Sequence, residues 1–336
     1  MKPVISIVIV NYKTPQLLDN CLKTVFEPTP QVDLEVIVVD NASGDNSQAL
    51  ITRHYPAVKW IQMDYNAGFA RANNEGIRHA KGDAVLLLNS DTLVEDRAIE
   101  KCYVQFMQSA YVACGVQLLN EDRTPQISGS YFTAGSLNNL LPLPYIGQFL
   151  KWLGNVMKVK KPHVPDTREE TTVDWINGAY LMVKQAAIDK AGLMDEDFFL
   201  YAEEVEWCSR LKRIGEMCIY GQFNVVHLQG ATANETFGSS GKGYYNLYDK
   251  KGLQIMLSNF LRIRKHLGTG WFLFHLITYT IAVPVFFLCS FFERLFTLRN
   301  PLADWGRASR LAGNVATLWR FAPRIVSKKP YFYKVL

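Results

Sequence analysis

The chain of 336 residues is long enough for one large or two small packed domains, and at 49% hydrophobic and 20% charged it is not a disordered sequence. Its six cysteines (Cys21, Cys102, Cys114, Cys208, Cys218, Cys289) form no CxxC pair and no paired framework, so they read as reduced structural thiols of a cytosolic setting. The net charge of +5 is uneven: between Arg294 and Leu336 nine Lys/Arg face a single acid, Asp304, which suits an anionic surface as partner.

The opening MKPVISIVIVNYK has too short an apolar run for a signal peptide and reads as a strand. Val4 to Val10 is continuous and β-branched, as a buried parallel strand is. Thr14-Pro15 opens a helical pattern through Leu18, Cys21, Leu22 and Val25. LEVIVV, Leu34 to Val39, is a second buried strand that ends on Asp40. A helix over 45–54, a weaker strand over 58–63, a helix over 70–80 and a buried strand over 84–88 follow. The order β-α-β-α-β-α-β predicts a parallel, doubly wound sheet. Further on, strands are expected over 111–119 and 217–226, a return to order over 173–183, and helices over 184–191 and 198–214. Gly129 to Pro165, rich in Leu, Pro and aromatics, shows no clear period.

Parallel sheets bind ligands at the carboxyl ends of their strands. Asn11-Tyr12, Asp40-Asn41 and Asn89-Ser90-Asp91 all fall there. Asp91, in LLLNSDT, suits a hard divalent cation that also binds phosphate oxygens; an N-cap of a helix near Glu95 is the other reading. Asp40, in VVDNASGD, can accept from a base N–H or a ribose hydroxyl, or it can make an Asx turn. Of Glu203 and Glu204, which as neighbours cannot share a helix face, one can point into a cleft as a general base; equally, both can serve a helix dipole. His227, after the apolar strand in NVVHLQG, can ligate a metal, donate to a diphosphate or be purely structural. Neither a GxGxxG nor a Walker loop follows the first strand.

SIVIVNYKTPQLLDNCL, VIVVDNASGD, NAGFARANNEGI, LLLNSDT, WINGAYLMVKQAAIDKAGLMDEDFFLYAEEVEWCSRLKRIG and VVHLQGAT, in this order, together resemble family 2 glycosyltransferases. They look like the bacterial rhamnosyltransferase-like branch, over about Val4 to Gly268. The resemblance implies an α/β GT-A fold, Rossmann-like and mostly parallel, over 1–265. Within it, 1–120 would be the nucleotide-sugar-binding half and 121–265 the acceptor-binding half, with membrane-associating helices over 266–336. It implies inverting transfer from a dTDP- or UDP-sugar, with Mg2+ or Mn2+ as cofactor. Mapped by motif, Tyr12 would stack on the base beside Asn11, and Asp40 would bind the base edge. Asn66, Gly68 and Asn73 would line the nucleotide-sugar site, with Asn89 and Ser90 next to it. Asp91 would hold the metal, His227 would reach metal or diphosphate, and Glu204 would be the base. Two positions depart from the family pattern: Asn89 stands at the first acid of the DxD-like motif, and Glu203-Glu204 replaces Glu-Asp.

WFLFHLITYTIAVPVFFLCSFF, Trp271 to Phe292, carries no Lys, Arg, Asp or Glu and is about as long as a bilayer span, although Pro284 would kink it. The tail beyond reads as an amphipathic basic helix of the kind that lies among headgroups. A buried helix pair with a solvated basic face is the alternative. The expectation is a peripheral or single-span enzyme on the cytoplasmic face of the bacterial inner membrane. It would act on a lipid-linked glycan, without nucleic acid, and a homodimer fits as well. A non-catalytic nucleotide-sugar-binding scaffold is the competing function. A pyrophosphorylase would need a glycine-rich basic loop where NYKTPQLL stands, and a processive synthase would need QxxRW and several spans.

Overall fold

The computed structural model describes residues 4–27, 29–131, 136–159, 163–164, 166–228, 237, 239 and 246–335. They form two compact units: one from the segments Met1–Thr133, Pro162–Phe199 and Glu203–Thr232, the other from Ala134–Lys161, Leu200–Ala202 and Ala233–Leu336.

The first unit is built on β1 (Ile5–Asn11), β2 (Leu34–Asp40), β3 (Lys59–Gln62) and β4 (Ala84–Asn89), all parallel, in the order β3-β2-β1-β4. Helices α1 (Pro15–Phe26), α2 (Ser47–His54) and α3 (Gly68–His79) connect them. The β-branched runs are buried on both faces, as covered parallel strands must be. Leu18, Cys21, Leu22 and Val25 of α1 pack into the same core.

Beyond β4 the sheet is mixed, in keeping with the mostly parallel sheet expected. β5 (Thr92–Val94), α4 (Ala98–Gln108), β6 (Ala113–Leu119), β7 (Gly129–Ser130), β8 (His163–Val164), β9 (Glu170–Val173), β10 (Trp175–Ile176) and β11 (Tyr180–Lys184) follow in the chain, with α5 (Ile146–Val156) lying in the second unit. Next come α6 (Gln185–Ala191), α7 (Glu203–Leu211) and β12 (Met217–His227). β11 enters antiparallel between β4 and β6, so the nine-stranded sheet continues β4-β11-β6-β12-β5. β12 runs parallel to β6; its free edge is shared by β9 over Met217–Tyr220 and by β5 over Val225–His227, across a bulge. β10, β7 and β8 form a separate three-stranded sheet.

The helix expected over 198–214 is shorter: Tyr201 and Ala202 are left-handed, with φ of 73° and 66°, and α7 begins only after them. No helix is capped by Asp91, because β5 follows it and α4 starts six residues after Thr92 with Arg97 at its cap.

The second unit holds a 3-10 turn (Ser136–Leu140), α5, α8 (Lys250–Leu267), α9 (Thr269–Phe296) and α10 (Trp305–Ser327). Asp249 caps α8 by accepting from the Gly252 N–H at 2.9 Å. α9 is, among the described residues, the one helix long and apolar enough to cross a bilayer. Its buried face (Phe272, Leu276, Tyr279, Ala282, Phe286) packs in the unit, where Phe260 of α8 meets Phe272 and Tyr279 edge-on. All six cysteines are free thiols, and only Cys289 is exposed.

Candidate active site

The register of β1 and β2 sets Asn11 beside Asp40 at the carboxyl edge. Asn11 Nδ2 donates to Asp40 Oδ1 at 2.7 Å, and Ser43 Oγ donates to the same oxygen at 2.5 Å. Oδ2 accepts the Ser43 N–H at 2.9 Å and Gln62 Nε2 at 2.8 Å. The buried Asp40 carboxylate thus takes four hydrogen bonds, which fills its lone pairs. The turn reading of Asp40 is realised through Ser43. Of the four donors only Gln62 is an exposed side chain, so it is the one a ligand can replace. Asn11 Oδ1 accepts from Thr14 Oγ1 at 3.0 Å, and Thr14 lies 3.3 Å from Ser90 Oγ, which ties the ends of β1 and β4 together. Tyr12 is half-buried, with Lys13 Nζ 5.4 Å from its ring centroid.

Asn41 organises the next loop. Its Oδ1 accepts the Ala67 N–H at 2.7 Å, and its Nδ2 donates to Asn66 Oδ1 at 3.0 Å and to the Gly68 carbonyl. Gly68 has φ +74°, and a Cβ there would lie 2.1 Å from the Phe199 carbonyl oxygen, so no other residue fits. Asn73 turns onto its own helix, donating to the Phe69 carbonyl at 2.9 Å, and does not join this network. Its neighbour Asn74 instead grips the Met194 backbone through both side-chain atoms.

The third corner lies at β4, β5 and β12. Antiparallel pairing sets His227 opposite Thr92, and this brings His227 Nε2 within 3.3 Å of Asp91 Oδ1 and 3.3 Å of Asn89 Nδ2. Gln126 Nε2 donates to Asn120 Oδ1 at 2.8 Å and to the His227 carbonyl at 2.6 Å, which fixes its amide. Gln126 Oε1, 3.0 Å from His227 Nδ1, can then only accept, so Nδ1 carries a proton. In the neutral ring the Nε2 lone pair faces Asn89 and Asp91. The Asp91–His227 separation of 3.3 Å is close to the ~3 Å between neighbouring ligands of one octahedral cation. Among the described residues no third His, Cys, Asp or Glu completes a cluster with them. The pair therefore fits a divalent cation that shares its coordination with ligand oxygens. Beneath this corner, Cys21 Sγ contacts the Asn89 carbonyl and Thr92 Oγ1, and burial pushes its thiol up to about 12.

Glu204 stands in the first turn of α7, almost wholly buried. A Cβ on Gly178 would sit 3.6 Å from Glu204 Cβ and Cγ and 3.7 Å from the Phe69 ring. The turn containing Gly178 also holds the Ala179 carbonyl, which accepts the Asn89 N–H at 3.1 Å. One turn thus links the acid of α7 to the end of β4. Glu206 is spent on Arg210, whose Nε and Nη2 both bind it. Sequence reasoning missed Ser43, Gln62, Gln126 and Gly178. Ser43 had a signal, its place in the Asx-turn tetrapeptide; Gln126 had none, because it lies in an irregular loop 101 residues from its partner.

Residues 6–158 match the family described as Glycosyl transferase family 2. The chain is 26% identical over 227 residues to the low-salt glycan biosynthesis hexosyltransferase Agl10 of Haloferax volcanii, across 66% of this chain and 65% of that protein. It is 23% identical over 197 residues to the rhamnosyltransferase WbbL of Escherichia coli, across 54% of this chain and 70% of that protein. The chain thus spans slightly less than two thirds of the first of these relatives. Among solved structures, the mannosyltransferase PcManGT from Pyrobaculum calidifontis, in complex with GDP-Man and Mn2+, superposes with a TM-score of 0.52 at 16% identity, over 95% of this chain and 88% of that one. GalNAc-T7 with UDP, GalNAc and Mn2+ superposes with a TM-score of 0.54 at 14% identity, over 78% of this chain and 48% of that one. At such identities the likeness speaks for the fold. Residues 6–158 thus match family 2 glycosyltransferases, and the mixed sheet and the superposed structures agree on a GT-A fold.

Proposed function

We propose that the protein is a metal-dependent, inverting glycosyltransferase that moves a sugar from dTDP-L-rhamnose or a UDP-hexose to a hydroxyl of a lipid-linked glycan. Its place would be bacterial cell-surface polysaccharide synthesis at the cytoplasmic face of the inner membrane. The observation that carries the reading is the Asp91–His227 pair at 3.3 Å, on the same sheet edge as the Asp40 hydrogen-bond network.

Asp40 takes the base N–H at Oδ2 as Gln62 withdraws, and Tyr12 stacks on the ring. Asn66 and Gly68 hold the loop against which the sugar nucleotide lies. Asp91 and His227, bordered by Asn89, would hold Mg2+ or Mn2+. When bound, the cation offsets the charge that gathers on the departing nucleoside diphosphate. Glu204 accepts the proton of the acceptor hydroxyl. That oxygen bonds to the anomeric carbon as the bond to the diphosphate oxygen breaks, and the leaving group departs with the electron pair. A single displacement inverts the centre and needs no enzyme nucleophile. Gln126 keeps the Nδ1 proton of His227 and so leaves Nε2 for the cation corner.

Calorimetry with dTDP-rhamnose, UDP-glucose, UDP-GlcNAc, UDP-galactose and GDP-mannose, with and without Mn2+ or Mg2+, tests the reading. Metal-dependent tightening by one donor is expected. Absence of any donor response from folded protein would favour a scaffold without catalysis.

A further inference from the structure

Among the described residues, the second unit carries exposed apolar surface on two of its helices. On α9, Phe274, Ile277, Ile281, Leu288, Phe292 and Leu295 recur at spacings of three, four and seven residues and are all exposed. They lie opposite the face that packs on α8. On α5, Phe149, Trp152 and Val156 form a second stripe, 58%, 60% and 61% exposed. Tyr145, at the start of α5, ties the two helices together: its hydroxyl donates to Glu293 at 2.5 Å and its ring lies 6.1 Å from that of Phe286. Surface of this extent on one unit marks a docking face.

The charge says what docks. The stretch from Arg294 onward carries nine basic residues against one acid, and Arg310, Arg320 and Lys328 are exposed. Apolar stripes bearing Trp and Phe, next to such a cluster, match an anionic lipid surface.

The packing says how. α10 runs back along α9: the Trp305 ring meets Phe287 and Phe291, and Trp319 Nε1 donates to Thr280 Oγ1 at 2.9 Å. Arg307 and Arg310 therefore lie beside the C-terminal half of α9, between these two contacts, on a helix about 42 Å long. Were α9 to cross a bilayer, these guanidiniums would be carried into its apolar layer, where charge is costly. The Tyr279 hydroxyl also donates to the Asn139 carbonyl at 2.7 Å, so the short 3-10 turn, and not a second long helix, accompanies α9 there.

We propose that α9 lies along the plane of an anionic membrane, its outward stripe and that of α5 set among the headgroups and acyl boundary, and does not span it. The inference rests on the proposed membrane-borne acceptor only for the choice of surface. It is read without donor or acceptor, so its failure is separate from failure of transfer.

Full-length protein is floated with phosphatidylcholine vesicles with and without phosphatidylglycerol. Flotation with the anionic vesicles, lost at least tenfold in Ile281→Glu/Leu288→Glu and weakened by salt and in Arg310→Glu/Arg320→Glu, is expected; an unchanged thermal melt shows that the variants fold. In sealed inverted membrane vesicles from expressing cells, an impermeant maleimide should label Trp271→Cys and Phe296→Cys equally, in a Cys289→Ser background. Labelling of one end alone would overturn the in-plane placement. Absence of flotation, with a dimer in solution that Leu288→Glu dissociates, would assign the stripe to a second copy and overturn the lipid surface.

Discussion

Gln126 Oε1 accepts from His227 Nδ1 at 3.0 Å, while the Gln126 amide nitrogen donates to the carbonyl of the same histidine. One side chain thereby holds both the ring and the backbone of the residue that faces Asp91. The Gln126→Leu variant should weaken Mn2+ binding about 10- to 100-fold, the usual cost of losing such support. Gln126→Glu, which keeps the acceptor, should recover part of it. A Mn2+ titration followed by calorimetry measures both. Equal loss in the two variants would mean that Gln126 serves the fold alone.

Glu204→Gln keeps the size of the side chain and removes its basicity. Transfer should fall at least ~100-fold, while donor affinity in the presence of metal stays unchanged. Turnover like that of the unaltered protein would take Glu204 out of the base role.

Two glycines of the site separate space from conformation. Gly68→Ala places a Cβ 2.1 Å from the Phe199 carbonyl oxygen at φ +74°, so it should cost more than ~2 kcal/mol and lower the melting temperature. Gly178→Ala meets its nearest atoms at 3.6 Å, an ordinary contact, so the melt should hold. Its methyl stands beside Glu204 and should depress transfer without unfolding the protein.

Asp249 reports on the helical unit through pH. Burial alone would raise its carboxyl, but hydrogen bonds from Ser239, the Gly252 N–H and Asn246, together with the Lys251 charge, hold it below its ordinary 3.8. A depressed value means stability that is present above the unfolded pKa and lost as pH falls through the folded one. Asp249→Ala should cost about 1 kcal/mol at neutral pH. The gap in melting temperature between it and the unaltered protein should narrow as pH falls below 3.8 and the carboxylate is protonated in both states. A gap independent of pH would show that the charge of the cap is immaterial.

The parallel half of the sheet was legible because fully buried strands write themselves as β-branched runs, Ile7 to Val10 and Val36 to Val39 above all. The edge residues Asn11, Asp40 and Asn89 followed from the strand ends. β11 was not legible as an antiparallel insert: YLMVK is apolar on both faces, and burial does not encode direction. Asn73 and Asn74 could not be told apart, since a helix turns 100° between them and only packing against Met194 decides which one reaches out. Deleting the chain from Trp271 onward would be a poor membrane test, because the buried face of α9 also covers Phe260.

The late strands impose a timetable on the growing polypeptide. β4 emerges early, yet one of its flanks stays bare until β11 is made, almost a hundred residues later. His227 arrives later still, at the last position of β12. During synthesis the pocket around Asp40 can therefore close while the corner at Asp91 lacks its partner. A chain stalled on the ribosome before β12 would carry the Asp40 hydrogen-bond network formed and Asp91 without His227.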